Sequence, residues 1–291
     1  GRKKGRTFMA YKLIEGGGVT TPQGFLAGAC YVGVKSRKSE KPDVAIIYSE
    51  QPASCAAMFT TNKFCAAPVI LDREILKKGK ARAVVINSGN ANAATGTQGI
   101  EDAKRVETEA EKLLNLGEDE VFVCSTGVIG QKLPVEKVLD GVRRIVPELS
   151  KDKGTDAAWA IMTTDTVRKE VAYEMELSGG TVRIGAMAKG SGMIHPNMAT
   201  MLAYITTDAK VEPAVLQAAL SSVVPATFNQ ISVDGDTSTN DTCAVLANGL
   251  AGNTLIEWKD GDYEIFVAAL DHVCRYLARS IAADGEGCTK L

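Results

Sequence analysis

Short apolar segments rich in β-branched residues alternate along the chain with segments in which apolar residues recur every three to four positions. The first pattern predicts β-strands and the second predicts amphipathic helices. The predicted strands are 43–48, 66–71, 83–87, 121–124, 182–188, 201–207 and 243–247. The predicted helices are 98–116, 134–149, 212–223 and 263–283. Because strands and helices interleave without an internal repeat, the fold class is α/β or α+β.

The stretch 185–208 holds the residues that most suggest chemistry. Glycines surround Lys189, Pro196 prevents a helix from continuing, and Thr200 opens the predicted strand 201–207. A threonine at a loop-to-strand junction, with a lysine eleven residues upstream, suggests a nucleophile. The alternative is that Thr200 is an ordinary strand residue and Lys189 a solvated surface charge.

Histidine is scarce, with 2 in 291 residues. A Ser-His-Asp or Cys-His enzyme needs one as its base, and His195, beside a proline, suits a structural hydrogen bond equally well. A threonine with a free α-amine carries its own base, because that amine has a pKa of roughly 7.7–8.0. This route requires cleavage between Ala199 and Thr200, and the small Ala199 leaves room for the hydroxyl to reach the preceding carbonyl.

Two further segments combine glycine with small polar residues. Residues 88–96, S-G-N-A-N-A-A-T-G, can hold an anion on turn amides or form a purely structural turn, and they lack a P-loop lysine. Residues 125–127, S-T-G, follow the predicted strand 121–124. A turn there can aim backbone N–H groups at an acyl-transfer oxyanion, or it can be only a turn.

The polar loop 233–241, V-D-G-D-T-S-T-N-D, has a calcium reading and a structural one. Its candidate oxygen ligands are Asp234, Asp236, Ser238 and Asn240. The EF-hand register fails, because the sixth position is Thr239 and the twelfth is Val245. We therefore expect a loop closed by Asx turns near the site, and no metal. Glu286, in A-D-G-E-G, can meet a substrate ammonium or be a solvated carboxylate at a helix end.

Composition excludes several classes of protein. A net charge of −2 implies no general affinity for nucleic acid or membranes, and no apolar run reaches the roughly 20 residues of a membrane span. The seven cysteines contain no C-x-x-C pair, so with few histidines a zinc site is not expected. Free cysteines in an odd number favour a reducing, cytoplasmic location.

Ordered blocks along nearly the whole chain carry a family resemblance. The main block is the junction K-G-S-G-M-I-H-P-N-M-A-T-M-L-A. The others are G-G-V-T-T-P-Q-G-F, N-S-G-N-A-N-A-A-T-G, C-S-T-G-V-I-G, A-I-M-T-T-D-T, V-D-G-D-T-S-T-N-D and A-D-G-E-G. They resemble the ornithine acetyltransferases, the glutamate N-acetyltransferases of arginine biosynthesis. The resemblance implies an α-β-β-α sandwich, stacked sheets enclosed by helices, that transfers acetyl from N2-acetylornithine to glutamate through acetyl-Thr200.

The resemblance also implies roles for individual residues. Self-cleavage falls between Ala199 and Thr200, and Thr200 is the catalytic nucleophile. The other positions are Thr126 and Gly127 for the oxyanion hole and Thr163, Lys189, Thr200 and Glu286 for substrate binding, with Thr164 as the register alternative to Thr163. It further implies two α and two β chains and no cofactor, and leaves open whether acetyl-CoA also donates acetyl.

The expected organisation follows from the cleavage point. Residues 1–8 form a basic leader before a natural start at Met9, 9–199 form the α-chain segment, and 200–291 form a β-chain segment that stops short of the family's C-terminal part. Two alternatives remain. One is an N-terminal-threonine aminopeptidase or amidase of the same fold, in which water replaces glutamate, and the other is an inactive binding fragment.

Overall fold

The computed structural model describes residues 11–35, 39–190, 200–228 and 238–286. Its strands are β1 (Tyr11–Leu13), β2 (Phe25–Cys30), β3 (Val44–Phe59), β4 (Lys80–Asn90), β5 (Val121–Val128), β6 (Lys169–Leu177), β7 (Gly180–Lys189), β8 (Leu202–Thr207) and β9 (Thr242–Ala247). They form one sheet in the order β1-β6-β7-β8-β9-β3-β4-β5, with β2 paired to β3. The β4–β5 and β8–β9 pairs are parallel, and the other pairs are antiparallel.

This sheet folds back on itself. In a flat sheet β7 and β5 would lie five strands apart, about 24 Å at the usual strand spacing. Yet Lys189 Nζ at the end of β7 lies 3.3 Å from Thr126 Oγ1 in β5. Side chains from both halves of the sheet accordingly share one buried cluster, which includes Ile47, Ile86, Phe122, Met187, Tyr204 and Leu246.

Strand β3 makes the bend. It pairs with β4 between Val44 and Ser54 and with β9 between Ser54 and Phe59. The register against β4 shifts between Tyr48 and Ala53, and such irregularities let a strand bend and twist more strongly. One strand therefore belongs to both layers of the fold.

Helices pack against both layers of the sheet. They are α1 (Ala67–Leu76), α2 (Gly96–Leu113), α3 (Val135–Ile145), α4 (Gly154–Ala160), α5 (Pro213–Thr227) and α6 (Gly261–Glu286). Helices α5 and α6 share a core with β6–β9, and α2 and α3 share one with β3–β5. The predicted α-β-β-α sandwich is confirmed, with the difference that its two layers are halves of one folded sheet. Among the helices that the structure defines, none combines the length and apolar character needed to cross a bilayer.

One predicted element has the wrong type. The segment 66–71 was expected as a strand, but it forms the start of α1, with Pro68 in the first helical turn. Its buried residues Val69, Asp72 and Ile75 recur every three positions, the spacing of one helix face. Six apolar residues are too few to separate the two periods, and the proline was the signal that favoured the helix.

Candidate active site

Lys189 lies between the two layers, at the end of β7, with 1% of its surface exposed. Its Nζ donates to Thr163 Oγ1 at 2.8 Å and to Thr126 Oγ1 at 3.3 Å. Asp165 Oδ1 lies 3.9 Å from the same nitrogen. Burial lowers the pKa of Lys189 to about 8, because the charged form loses its hydration, and the negative charge of Asp165 reverses only part of that shift. Three of the predicted site residues thus meet at one amine.

Thr126 and Gly127 lie within β5, so the predicted turn at 125–127 is wrong. The strand continues through S-T-G, with an irregular register against Gly89 and Asn90 of β4. Gly127 has a φ of +134°, and a Cβ added there would lie 2.4 Å from the Gly89 carbonyl carbon. Only glycine allows this close approach, which occurs next to the residue that contacts Lys189. The oxyanion role of both residues stays a prediction.

The loop after α4 brings Thr163 to the site. The Thr163 N–H donates to Asp165 Oδ1 at 3.2 Å, and the Gly190 N–H donates to Asp165 Oδ2 at 2.8 Å. One carboxylate therefore holds both this loop and the residue that follows Lys189. Thr163 thus contacts Lys189, and the choice between Thr163 and its register alternative Thr164 as the substrate-binding residue stays a prediction.

Thr200 is buried just before β8, with 6% of its surface exposed. Its Oγ1 lies 2.9 Å from Ser238 Oγ, and the N–H of Met201 donates to Asp241 Oδ1 at 2.8 Å. Burial raises the pKa of Asp241 to about 6, although hydrogen bonds from Met201 and Ser238 and the charge of Lys189 oppose the rise. A carboxyl group that titrates near neutral pH therefore lies beside the hydroxyl that contacts Thr200.

Asn240 connects Thr200 with the opposite layer. Its backbone N–H donates to Ser238 Oγ at 3.2 Å, and its side-chain Nδ2 donates to the Ser125 carbonyl at 2.8 Å. Thr200, Ser238, Asn240 and Ser125 thus form a continuous path of contacts. That path runs from the candidate nucleophile to β5, the strand that carries Thr126.

The structure places the remaining predicted residues only in part. Ala199 lies outside the described residues, as do the side chain of Glu286 and His195. Helix α6 continues through Glu286, three residues beyond its predicted end at 283. Asp284, on the last turn of that helix, reaches the site and accepts a hydrogen bond from Lys169 Nζ at 2.6 Å.

The segment 88–96 supports its structural reading. The Ala91 N–H donates to the Val128 carbonyl at 2.9 Å, and the Asn92 N–H donates to Asn90 Oδ1 at 2.7 Å. These two amides are bonded within the protein and are therefore not free to hold an anion. This segment fastens β4 to the end of β5.

The calcium reading of 233–241 gains no support from the residues that can be examined. Asp234 and Asp236 lie outside the described residues, while Ser238 and Asn240 make the contacts to Thr200 and Ser125. Within the described ranges, no three His, Cys, Asp or Glu residues are grouped in a way that could hold a metal ion. The absence of a metal from the whole protein stays a prediction.

Sequence reasoning did not single out four polar residues that organise the site. Asp165 closes the motif T-T-D, and Ser238 entered only as a calcium ligand. Asp241 ends the same polar loop, and Lys169 begins β6. The signal available for Lys169 was a charged residue at the edge of an apolar strand, which is common on protein surfaces and therefore weak.

Comparison with known proteins agrees with this geometry. Residues 26–291 match the model of the ArgJ family. The "Arginine biosynthesis bifunctional protein ArgJ" of Caldanaerobacter subterraneus subsp. tengcongensis is 53% identical over 278 residues, which are 96% of this chain and 68% of that protein.

Solved structures give the same result for the fold. An ornithine acetyltransferase complexed with ornithine, from Mycobacterium tuberculosis, aligns with a TM-score of 0.58 at 39% identity over 64% of this chain and 97% of that one. The L-aminopeptidase D-Ala-esterase/amidase of Ochrobactrum anthropi aligns over 91% of this chain and 86% of its own, with a TM-score of 0.52 at 13% identity, and it shows the fold alone. The family match and the high identity over nearly all of the sequence establish that this chain belongs to the ArgJ family.

Proposed function

We propose that this protein transfers acetyl from N2-acetylornithine to glutamate through an ester on Thr200, in arginine biosynthesis. The names of its relatives support the pathway and the donor product, since one is an arginine biosynthesis protein and another is an ornithine acetyltransferase bound to ornithine. The site itself supports the chemistry. It contains a threonine at a strand start, a buried amine and three further hydroxyl groups, those of Thr126, Thr163 and Ser238.

The observation that carries the proposal is the environment of Lys189. Its amine is held by the hydroxyls of Thr126 and Thr163, while the carboxylate of Asp165 stays 3.9 Å away. A buried ammonium with a carboxylate at that distance is only partly neutralised, so the carboxylate of an amino-acid substrate would gain a strong charge-assisted hydrogen bond. Glu286, the last residue of α6, is the proposed partner for a substrate ammonium.

The first step of the proposed pathway is self-cleavage. The Thr200 hydroxyl attacks the Ala199 carbonyl, the peptide bond to the Thr200 nitrogen breaks, and water then hydrolyses the resulting ester. The products are a segment that ends at Ala199 and a segment that begins at Thr200 with a free α-amine.

Acetyl transfer then proceeds in two displacements. The α-amine takes the Thr200 hydroxyl proton, the oxygen attacks the acetyl carbonyl, and ornithine leaves with that proton on its nitrogen. The glutamate amine attacks the ester, loses a proton to the Thr200 α-amine, and the hydroxyl is restored. Thr126 and Gly127 stabilise the oxyanion in both steps, a contribution of roughly 3–4 kcal/mol for one donor.

Mass spectrometry and steady-state kinetics on the full-length protein test this proposal. We expect two fragments, one beginning at Thr200, and one added acetyl mass on that fragment with N2-acetylornithine alone. Double-reciprocal plots for N2-acetylornithine and glutamate should be parallel. Thr200→Ala should stay intact and carry no adduct.

Other results would point elsewhere. Intersecting lines without an adduct would indicate direct transfer in a ternary complex, and steady acetate release without glutamate would indicate a hydrolase. Replacing N2-acetylornithine by acetyl-CoA in the adduct experiment decides whether acetyl-CoA is also a donor. The two-plus-two assembly and the cytoplasmic location stay predictions.

A further inference from the structure

We propose that Asp165 is a positioning residue that keeps Lys189 charged and aligned for the substrate carboxylate, an inference that rests on the proposed function. Its Oδ2 accepts from the Gly190 N–H at 2.8 Å and from Lys169 Nζ at 2.8 Å. Its Oδ1 accepts from the Thr163 N–H at 3.2 Å and faces Lys189 Nζ at 3.9 Å. A single carboxylate thus contacts the backbone on both sides of the site and both buried lysines.

The carboxylate is deeply buried and remains charged. The side chains of Asp165 and Lys169 are both 0% exposed. Burial alone would raise the pKa of Asp165, but the charge of Lys189, the Gly190 N–H and Lys169 outweigh burial and hold that pKa below its usual range. A charged group in this position costs little only while its partners stay in place, so it fixes their geometry.

The same network reaches the helix end that carries Glu286. Lys169 Nζ bonds to Asp284 Oδ2 at 2.6 Å, and the Thr166 N–H donates to Asp284 Oδ2 at 3.0 Å. Asp284 lies two residues before Glu286 on α6. Asp165 and Asp284 both form an ion pair with Lys169. Asp165 also faces Lys189.

Several charged groups act on Lys189, and Asp165 is the strongest of them. Asp165 and the more weakly acting Asp241 raise its pKa. The positive groups that lower it are Lys169, Lys35 and Lys41. Removing the charge of Asp165 should therefore lower the pKa of Lys189, and Lys189 would lose its proton within the neutral range. A neutral amine holds a carboxylate much less strongly than an ammonium does.

NMR of protein labelled at lysine 13Cε measures this without turnover. Lys189 is assigned with Lys189→Arg, and its pKa is followed in wild type, Asp165→Asn and Asp284→Asn. We expect about 8 in wild type, a decrease of about 1 or more in Asp165→Asn, and no change in Asp284→Asn. An unchanged pKa in Asp165→Asn, or an equal decrease in Asp284→Asn, would overturn the proposal.

A matched pair of double variants decides the matter if Asp165→Asn does not fold. Asp165→Asn/Lys169→Met and Asp284→Asn/Lys169→Met have the same net charge and differ in which carboxylate remains. Lys189 should have the higher pKa, by about 1 or more, in the variant that retains Asp165. Equal values would reject the proposal.

Kinetics give a second readout. The ratio of KM for N2-acetylornithine in Asp165→Asn to that in wild type should be near one at pH 6 and rise about threefold by pH 7.5, with a smaller change in kcat. A ratio that does not depend on pH would show a merely structural role. If wild type does not transfer acetyl at all, the proposed function fails, while the NMR result still decides whether Asp165 controls Lys189.

Discussion

Lys169 and Lys189 are two buried lysines on adjacent strands, β6 and β7, and their surroundings differ in kind. Lys169 Nζ bonds directly to two carboxylates, Asp165 at 2.8 Å and Asp284 at 2.6 Å. Lys189 Nζ bonds to two threonine hydroxyls, and its ion-pair contact with Asp165 is 3.9 Å long. The two lysines are thus equally buried, but the charge of Lys169 is neutralised more fully than that of Lys189.

The difference separates a structural charge from a functional one. A buried cation that bonds to two carboxylates already has its charge balanced. Its removal would leave the charges of those carboxylates buried without compensation. A buried cation held by neutral hydroxyls retains attraction for an anion that arrives from solvent. On this reasoning Lys169 holds the site together and Lys189 binds the ligand, and the following experiments separate the two roles.

The largest effect should come from Lys169→Met. It leaves the carboxylates of Asp165 and Asp284 buried without their shared cation, so the free energy of unfolding should fall by about 3–5 kcal/mol. Urea unfolding measures this, with Lys189→Met as the matched control, for which we expect a change within about 1 kcal/mol. Equal losses in both variants would remove the distinction between the two lysines.

Lys189→Met should instead act on function. Loss of the charge-assisted contact to the substrate carboxylate should lower kcat/KM about 100-fold, mainly through KM, because a buried charged contact contributes about 2–5 kcal/mol to binding. Initial rates with N2-acetylornithine and with glutamate measure it. An unchanged KM for both substrates would move carboxylate recognition to another residue.

The carboxyl groups of Asp165 and Asp241 have pKa values that are shifted in opposite directions, and this difference gives a pH test. Lysine charges hold the pKa of Asp165 below its usual range, whereas burial raises that of Asp241 to about 6. Folded Asp241 keeps its proton at pH values where the unfolded chain has lost it, so its contribution to stability is lost as pH rises from about 4 to about 6.

Asp241→Asn should remove that loss. Unfolding free energies at several pH values should show the variant gaining on wild type by on the order of 2 kcal/mol over this range and then levelling off. A difference that stays constant with pH would mean that Asp241 has an ordinary pKa in the folded protein.

The smallest effect should come from Ser238→Ala. Ser238 Oγ contacts Thr200 Oγ1 at 2.9 Å, and a single hydrogen bond contributes about 0.5–1.5 kcal/mol. Cleavage at Thr200 should slow about tenfold, as followed by intact mass over time, while Ser238→Thr, which keeps a hydroxyl, should stay near the wild-type rate. Equal rates in Ser238→Ala and wild type would remove Ser238 from the cleavage step.

Local patterns predicted most of the fold, and long-range pairing limited the rest. The helix predicted at 98–116 and the strand at 201–207 are confirmed within a few residues as α2 and β8. The strand prediction for 66–71 was wrong because a short apolar run fits the period of a strand and that of a helix equally well. The bend in β3 depends on its pairing with β4 at one end and β9 at the other, and no local pattern contains that information.

The site shows the same limit. Family resemblance suggested Thr126, Thr163, Lys189 and Thr200. The structure brings the first three together and links the fourth to β5 through Ser238 and Asn240. The residues that sequence reasoning did not find are those that form hydrogen bonds and ion pairs with the predicted site residues. Asp165 matters because its carboxylate meets Lys169 and Gly190 in space, and acidic residues in a polar motif look alike until their partners are known.

The order of strands decides what a cut before Thr200 can do to the molecule. Strands β8 and β9 follow the cut in sequence, yet they lie between β7 and β3, which both precede it. The later fragment is therefore inserted into the middle of the earlier fragment's sheet, hydrogen-bonded along both of its edges. Separating the fragments would require breaking both ladders and the cores they share. A nicked chain should consequently remain interlocked and unfold in a single transition.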